Sequence, residues 1–306
     1  MKLQSTLIKL FIPLIFISFN ANSQTLLEKN TACNHAVNKG DFNAAIKQAD
    51  DILKSKANDN DALLCKGRAL GAQGQYAEAL SVLTLAEKQA TDNFNSIISN
   101  MLIGNLHKAN QQYAEAIASY EKSISFAKNS TNEKLERANQ NLIGAVYSQN
   151  KDYNASLARY LVASKLAMND NERAESFGLL AANYNILGQH DLAIENQMKA
   201  LQMQKKAGTL DEFADASLSL GQLYTAAKEY ANADKTLTKF AEFAKENGGA
   251  YYEAKAKLYL AQNKAASGDS QSAKAFIADA RSIAKSVGDS GLNVEIDEIA
   301  KKLGSD

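Results

Sequence analysis

A six-residue motif recurs along the chain, and this repeat limits the possible folds more than any other feature of the sequence. Four clear copies, each with an aromatic second residue, begin at Asp41, Gln75, Gln112 and Asp152. Three weaker copies begin at Gln189, Glu229 and Asp269. The copies follow one another at steps of roughly 34 to 40 residues, which is a period typical of repeat architectures. This spacing predicts stacked supersecondary units that bury their apolar faces against one another.

Small residues stand at fixed positions around each copy of the motif. Nine residues before the aromatic position stand Cys33, Gly67, Gly104, Gly144, Ala181, Gly221 and Ala261. A second small residue, alanine or serine, stands three residues after it in every copy. We therefore predict that each unit is an antiparallel helix pair, in which a small side chain on one helix faces a small one on the other.

Proline is nearly absent, which agrees with a continuous array of helices. The only proline of the 306 residues is Pro13. Proline normally marks turns and strand ends, so a long proline-free chain rich in helix-forming residues is predicted to be all-α.

Two copies carry the full set of positions: Gly144, Tyr147, Tyr153 and Ser156, and then Gly221, Tyr224, Tyr230 and Ala233. These residues resemble the tetratricopeptide repeat, and the resemblance extends over residues 26–288. It implies an all-α, right-handed superhelical solenoid of antiparallel helix pairs, whose first helices line a concave groove. Two features depart from the family: the proline that usually closes a repeat is missing, and most repeats exceed the usual length of about 34 residues. Longer repeats of this kind resemble those of peptide-sensing regulators and cargo-binding light chains.

The predicted organisation has three parts. Residues 1–23 form a signal peptide, residues 24–288 form a solenoid of about seven helix pairs, and residues 289–306 form a C-terminal capping helix. The cap is predicted from Leu292, Ile296, Ile299 and Leu303, which fall on one helical stripe and can cover the last apolar face of a solenoid.

Residues 1–23 have the pattern of an export signal. Lys2 and Lys9 are followed by an apolar run over 10–19, and Ala21 and Ser23 are small residues suited to a signal peptidase. We expect cleavage after Ser23 and a periplasmic or secreted protein. An uncleaved membrane anchor is the alternative, although the apolar run is shorter than the roughly 20 residues that a spanning helix requires.

The charge of the remaining chain is close to neutral. Residues 24–306 carry 32 basic and 34 acidic side chains. This balance gives no electrostatic reason to expect nucleic acid as a partner. No later stretch is apolar enough for stable membrane insertion after the signal is cleaved.

The sequence shows no catalytic residues, no metal site and no cofactor motif. Gly288-Asp289-Ser290-Gly291 matches a string found around serine-protease nucleophiles, but it falls between two predicted helices, where Gly and Asp are ordinary end residues. His35, His107 and His190 lack the i, i+4 spacing of a helical zinc site, and we interpret them as packing residues. A hydrolase is therefore not favoured.

The two cysteines of the chain lie in neighbouring first helices. Cys33 and Cys65 could form a disulfide in an exported protein, and this bridge would join the first helix pair to the second. Helix axes about 8 to 10 Å apart often leave Cα atoms too distant for a disulfide. The geometry therefore favours two free thiols.

The resemblance assigns a groove to the first helices. Its lining positions correspond to Leu64, Arg68, Met101, Asn105, Lys108, Asn141, Ala145, Gln149, Ala182, Asn185, Leu218, Gln222, Leu258 and Gln262. Amide side chains can bind an extended peptide backbone, and Leu or Met can bind its apolar side chains. These positions could equally be the solvated face of ordinary helices. We expect an exported, non-catalytic scaffold that binds protein or peptide partners, with a peptide- or small-ligand-sensing module as the alternative.

Overall fold

The computed structural model describes residues 24–304, and the side chains of residues 31–304. Within this range the chain is entirely α-helical, with fifteen helices and no strand. The helices are α1 (Gln24–Lys39), α2 (Phe42–Ser55), α3 (Asn60–Ala72), α4 (Tyr76–Gln89), α5 (Asn93–Ala109), α6 (Tyr113–Asn129), α7 (Glu133–Gln149), α8 (Tyr153–Lys165), α9 (Asp170–Ile186), α10 (His190–Ala207), α11 (Leu210–Ala226), α12 (Tyr230–Glu246), α13 (Ala250–Ala266), α14 (Ser270–Val287) and α15 (Ser290–Lys302). The predicted signal peptide lies outside the described residues.

The helices belong to two compact units. The first unit, Met1–Ala90, contains α1 to α4, and the second unit, Thr91–Asp306, contains α5 to α15. In both units each odd-numbered helix up to α13 packs against the even-numbered helix that follows it. The prediction of an all-α fold made of helix pairs is therefore confirmed.

The turn inside each helix pair has one recurring conformation. The residue two positions before the second helix has positive φ in all seven turns, and the sequence places Gly, Gln or Lys there. The next residue donates its N–H to a carbonyl five positions earlier, as Glu229 does to Tyr224 at 2.8 Å. This is the Schellman pattern, which satisfies the last carbonyls of the first helix and reverses the chain. The repeated motif begins directly after this left-handed residue, which explains its position in every unit.

The glycines of the repeat are required by packing, although the predicted partner was wrong. A Cβ on Gly144 would lie 2.5 Å from Cε1 of Tyr160, and one on Gly104 would lie 2.5 Å from Cε1 of Tyr120. Each glycine therefore accepts a large side chain from the second helix of its own pair, rather than facing a small one. The closeness of the ring leaves no room for any side chain at the glycine.

The last helix covers the end of the second unit. Leu292, Ile296 and Ala300 of α15 are buried against Leu258 of α13 and Ile277 of α14. Ile299 and Leu303 pack at the edge of the same cluster. The predicted C-terminal capping helix is confirmed, because these residues close an apolar face that a further repeat would otherwise bury.

The junction between α14 and α15 is formed by Gly288, Asp289 and Ser290. Gly288 has φ of 74° at the end of α14, and Asp289 accepts a hydrogen bond from the N–H of Leu292 at 2.8 Å as the N-cap of α15. Ser290 is the first residue of α15. The resemblance of this segment to a protease motif is therefore fully accounted for by the junction between two helices.

Candidate binding face

The odd-numbered helices of the second unit lie side by side in one layer. α5 contacts α7, and α11 contacts both α9 and α13, which in turn contacts α15. Arg137 of α7 forms an ion pair with Glu175 of α9 at 2.7 Å. The even-numbered helices of the second unit pack against the odd helices that precede and follow them. We call the exposed surface of α5, α7, α9, α11, α13 and α15 the odd-helix face, and it carries most of the residues predicted to line a groove.

Four apolar residues predicted for this role are core residues instead. Leu258 has no exposed surface, and Leu64, Met101 and Leu218 are at most 8% exposed. Leu218 packs with Phe240, and Leu258 packs with Ile277, so both point into the helix stack. Their side chains are enclosed by neighbouring helices, so these four positions present almost no surface to a ligand.

The predicted amides differ in whether their hydrogen bonds are already used. Asn105 accepts a hydrogen bond from the hydroxyl of Tyr120 at 2.7 Å. Oδ1 of Asn185 lies 3.0 Å from Nδ1 of His190 across the turn. These contacts hold the ends of helix pairs together, so only the remaining hydrogen-bonding groups of Asn105 and Asn185 are available to a partner.

Asn141 and three glutamines are less constrained. Oδ1 of Asn141 is buried and has no hydrogen-bond partner in the described part of the chain. Gln149 and Gln222 are exposed, and Gln262 is partly buried. A buried carbonyl oxygen without a donor is costly, so a bound N–H group at Asn141 would recover free energy.

The two predicted cations lie in different surroundings. In the first unit Arg68 donates to Oδ1 of Asn34 at 2.8 Å, and burial lowers the pKa of its guanidinium. In the second unit Lys108 forms no ion pair among the described residues, and burial lowers the pKa of its amine. Arg68 is therefore part of the packing between α1 and α3, whereas Lys108 can still donate to a bound acceptor.

Gly178 opens the centre of the odd-helix face. A Cβ at Gly178 would meet no atom within 4 Å, in contrast to Gly144 and Gly104, which are crowded by tyrosine rings. The equivalent residues in the next two units are Leu218 and Leu258. Ala182, one turn later on α9, is exposed. Together Gly178 and Ala182 leave space on α9 that larger side chains occupy elsewhere.

The first unit contains a disulfide between Cys33 and Cys65. Their Cα atoms are 6.3 Å apart, and the described residues include no free cysteine. The preference for two free thiols was therefore wrong. It rested on the distance between helix axes, whereas these two side chains both point into the contact between α1 and α3 and are at most 1% exposed.

A further group of residues on the odd-helix face was missed from the sequence. Asp215, Lys255 and Glu295 occupy the same position of three successive repeats, at equal steps along the chain. Nζ of Lys255 lies 2.6 and 2.8 Å from the two carboxylate oxygens of Glu295. The hydroxyl of Tyr252 donates to Oδ1 of Asp211 at 2.6 Å. The equal spacing of three charged residues was the available signal.

Burial has a direct effect on the ionisation of this group. Partial burial raises the pKa of Asp215 although the residue remains exposed, the neighbouring carboxylate of Asp211 raises it further, and Lys255 opposes the change. Burial is likewise the main cause that raises the pKa of Tyr252, followed by its hydrogen bond to Asp211. The local environment is thus unfavourable to additional negative charge.

No helix in the described range is long and apolar enough to cross a membrane. The described residues also contain no group of three His, Cys, Asp or Glu side chains that could hold a metal ion.

The stacked pairs define an all-α helical-repeat protein. The tetratricopeptide repeat model matches residues 98–130 and 174–206, which correspond to α5–α6 and α9–α10. These two helix pairs therefore match the tetratricopeptide repeat model. No curated protein sequence matches it significantly.

Several solved structures have a similar fold. The apo form of RapI has a TM-score of 0.71 and 16% identity, over 92% of this chain and 82% of RapI. The apo quorum sensor NprR from B. thuringiensis has a TM-score of 0.61 and 18% identity, over 91% of this chain and 82% of NprR. A tetratricopeptide repeat protein from Parabacteroides merdae has a TM-score of 0.55 and 16% identity, over 92% of this chain and 99% of that protein.

Proposed function

We propose that this protein is an exported, non-catalytic scaffold that binds a protein or peptide segment on the odd-helix face of its second unit. The proposal rests on the buried Oδ1 of Asn141, which has no hydrogen-bond partner among the described residues. The same face presents the amine of Lys108, which forms no ion pair with any of them. These groups supply an acceptor and a donor for an extended backbone. The space above Gly178 lies one repeat further along the same face.

Site-specific crosslinking tests the binding face. A photoreactive residue is placed at Gln149 or Gln222, which are exposed on odd helices, and at Lys235, which is exposed on the even helix α12. We expect a partner adduct from the two glutamine positions and a much weaker one from Lys235. Equal labelling from all three positions would show that contact is not specific to this face.

Export is tested separately. We expect the protein recovered from its native cell to begin at Gln24, because the small residues Ala21 and Ser23 suit cleavage after Ser23. Sequencing of the N-terminus measures this directly. A retained apolar segment would instead indicate a membrane anchor. The proposal that the protein is periplasmic or secreted would then be wrong.

A peptide- or small-ligand sensor is the second candidate. The similarity in fold to the quorum sensor NprR is the observation that favours it. A ligand that binds the folded state raises its stability by mass action, so thermal-shift screening with short peptides and small metabolites separates the two functions. A specific small ligand would support sensing, and crosslinking to a folded protein alone would support the scaffold.

A further inference from the structure

The second unit carries an exposed pair of tyrosines beside carboxylates. Tyr251 and Tyr252 at the start of α13 pack edge to face, with ring centroids 5.3 Å apart and planes at 83°. Tyr251 is 38% exposed, so part of its ring is accessible to a partner. The hydroxyl of Tyr252 is held by Asp211 of α11. The pair is therefore a fixed aromatic surface at the edge of the odd-helix face.

The charges around these rings are unbalanced. We call Asp211, Asp215, Tyr251, Tyr252, Lys255 and Glu295 the tyrosine–carboxylate cluster. Its single cation, Lys255, is engaged by both oxygens of Glu295. Asp211 and Asp215 form no ion pair in the described part of the chain. The two carboxylates that act on Tyr252 thus have no cation within ion-pair distance among the described residues, although Lys255 attracts Asp215 from further away.

We propose that the tyrosine–carboxylate cluster binds an arginine or lysine side chain of the partner segment. An aromatic ring attracts a cation through its quadrupole, and a carboxylate forms a charge-assisted hydrogen bond with it. Arginine fits best, because its planar group stacks on a ring while its N–H groups reach a carboxylate. This inference rests on the proposed binding function and adds the chemistry of the partner.

A bound metal ion does not explain the arrangement. The acidic residues here do not form a group of three ligands that could hold a metal ion, and none is found elsewhere among the described residues. The exposed tyrosine pair also argues against a metal ion, because a tyrosine ring is a poor metal ligand but attracts an organic cation.

The test uses a fluorescein-labelled seven-residue peptide that contains three arginines, with both ends blocked. Its binding to the full chain is measured by fluorescence polarisation. A second peptide has citrulline in place of arginine, which keeps the shape and removes the charge. We expect the arginine peptide to bind and the citrulline peptide to bind at least about ten-fold more weakly, because each exposed charge contributes a few-fold. Equal binding of both peptides would overturn the proposal.

Variants locate the site. Tyr251→Leu is expected to weaken binding of the arginine peptide about two- to five-fold, which is the range for an exposed cation–π contact. Asp211→Asn with Asp215→Asn is expected to weaken it about five-fold. The control is Glu133→Gln with Asp191→Asn, which removes the same charge from exposed first turns elsewhere in the second unit.

The control determines the interpretation. If the control variant weakens peptide binding as much as the cluster variants do, the peptide is attracted by the overall charge of the protein and the proposal fails. If the cluster variants bind normally, the proposal also fails. Partner crosslinks at Gln149 and Gln222 without any binding of the arginine peptide would leave the binding face intact and reject only a cationic partner.

Discussion

Reduction of the disulfide is expected to destabilise the first unit by several kcal/mol. Cys33 and Cys65 have a sequence separation of 32, and closing a loop of this length lowers the entropy of the unfolded chain. The chain-entropy relation gives about 3.7 kcal/mol at 25 °C. This is a large fraction of the stability of a small domain, which is typically about 5 to 15 kcal/mol.

The composition of the first unit makes this contribution important. The cluster around the bridge is built largely from alanine, with Ala36, Ala45, Ala49 and Ala69 beside the two cysteines. Alanine buries little apolar area, so the cross-link compensates for a small local core. We therefore expect the loss of stability to appear in α1 to α4 before α5 to α15.

The assay compares oxidised and reduced forms of the same protein. Urea unfolding gives the free-energy difference, and hydrogen exchange locates it. The variant Cys33→Ala with Cys65→Ala is the control, because a reductant must not change its stability. Two titratable thiols in the denatured, unreduced wild type would show that the bridge is absent. A reduction effect below about 1 kcal/mol would refute the entropy argument.

Five further substitutions test the packing, the turn conformation and the charges. Gly178→Ala is expected to stabilise the protein by about 1 kcal/mol, because the added Cβ meets open space. Gly144→Ala is expected to destabilise it by about 1 to 3 kcal/mol, because the added Cβ meets Tyr160. Urea unfolding measures both changes, and equal effects would contradict the assigned contacts. Lys228→Gly, at φ of 62°, is expected to raise stability by about 0.5 to 1 kcal/mol, while Lys235→Gly, inside α12, lowers it. The raised pKa of Asp215 means that its ionised form opposes folding, so Asp215→Asn is expected to stabilise the protein at neutral pH, by less than about 1 kcal/mol because solvent screens this exposed residue. This gain should disappear as the pH falls below the ordinary carboxylate pKa, and a gain that persists in acid would exclude the electrostatic explanation.

The helix pairs could be predicted from the sequence because the repeat fixes them many times. Each unit places its left-handed turn residue at the same offset, and most units also place an aromatic residue and a glycine or alanine at the same offsets. The capping helix could be predicted equally well, because the helical spacing of Leu292 and Ile296 shows which side of the helix is apolar. The position of a helix pair is therefore specified even in a unit that departs from the motif.

The exposure of the positions assigned to the groove was harder to predict, for a geometric reason. A position assigned from the family gives the register of a residue but not the direction of its side chain. Leu218 and Gln222 are one turn apart on α11, yet Leu218 is buried and Gln222 is exposed. Cys33 and Cys65 present the same problem, because the orientation of two side chains determines whether they can bond.

The most informative positions are those where one unit departs from its neighbours. Leu218 and Leu258 fill the same position in successive units and are buried, whereas Gly178 leaves that position open. A glycine in a helix costs about 1 kcal/mol relative to alanine, and no internal contact offsets this cost at Gly178. Asp215 and Lys255 also occupy equivalent positions in successive units. Lys255 forms an ion pair with Glu295, whereas Asp215 forms none in the described part of the chain. Comparison between units therefore identifies Gly178 as a position that lacks the packing its neighbours have, and this position lies within the proposed binding face.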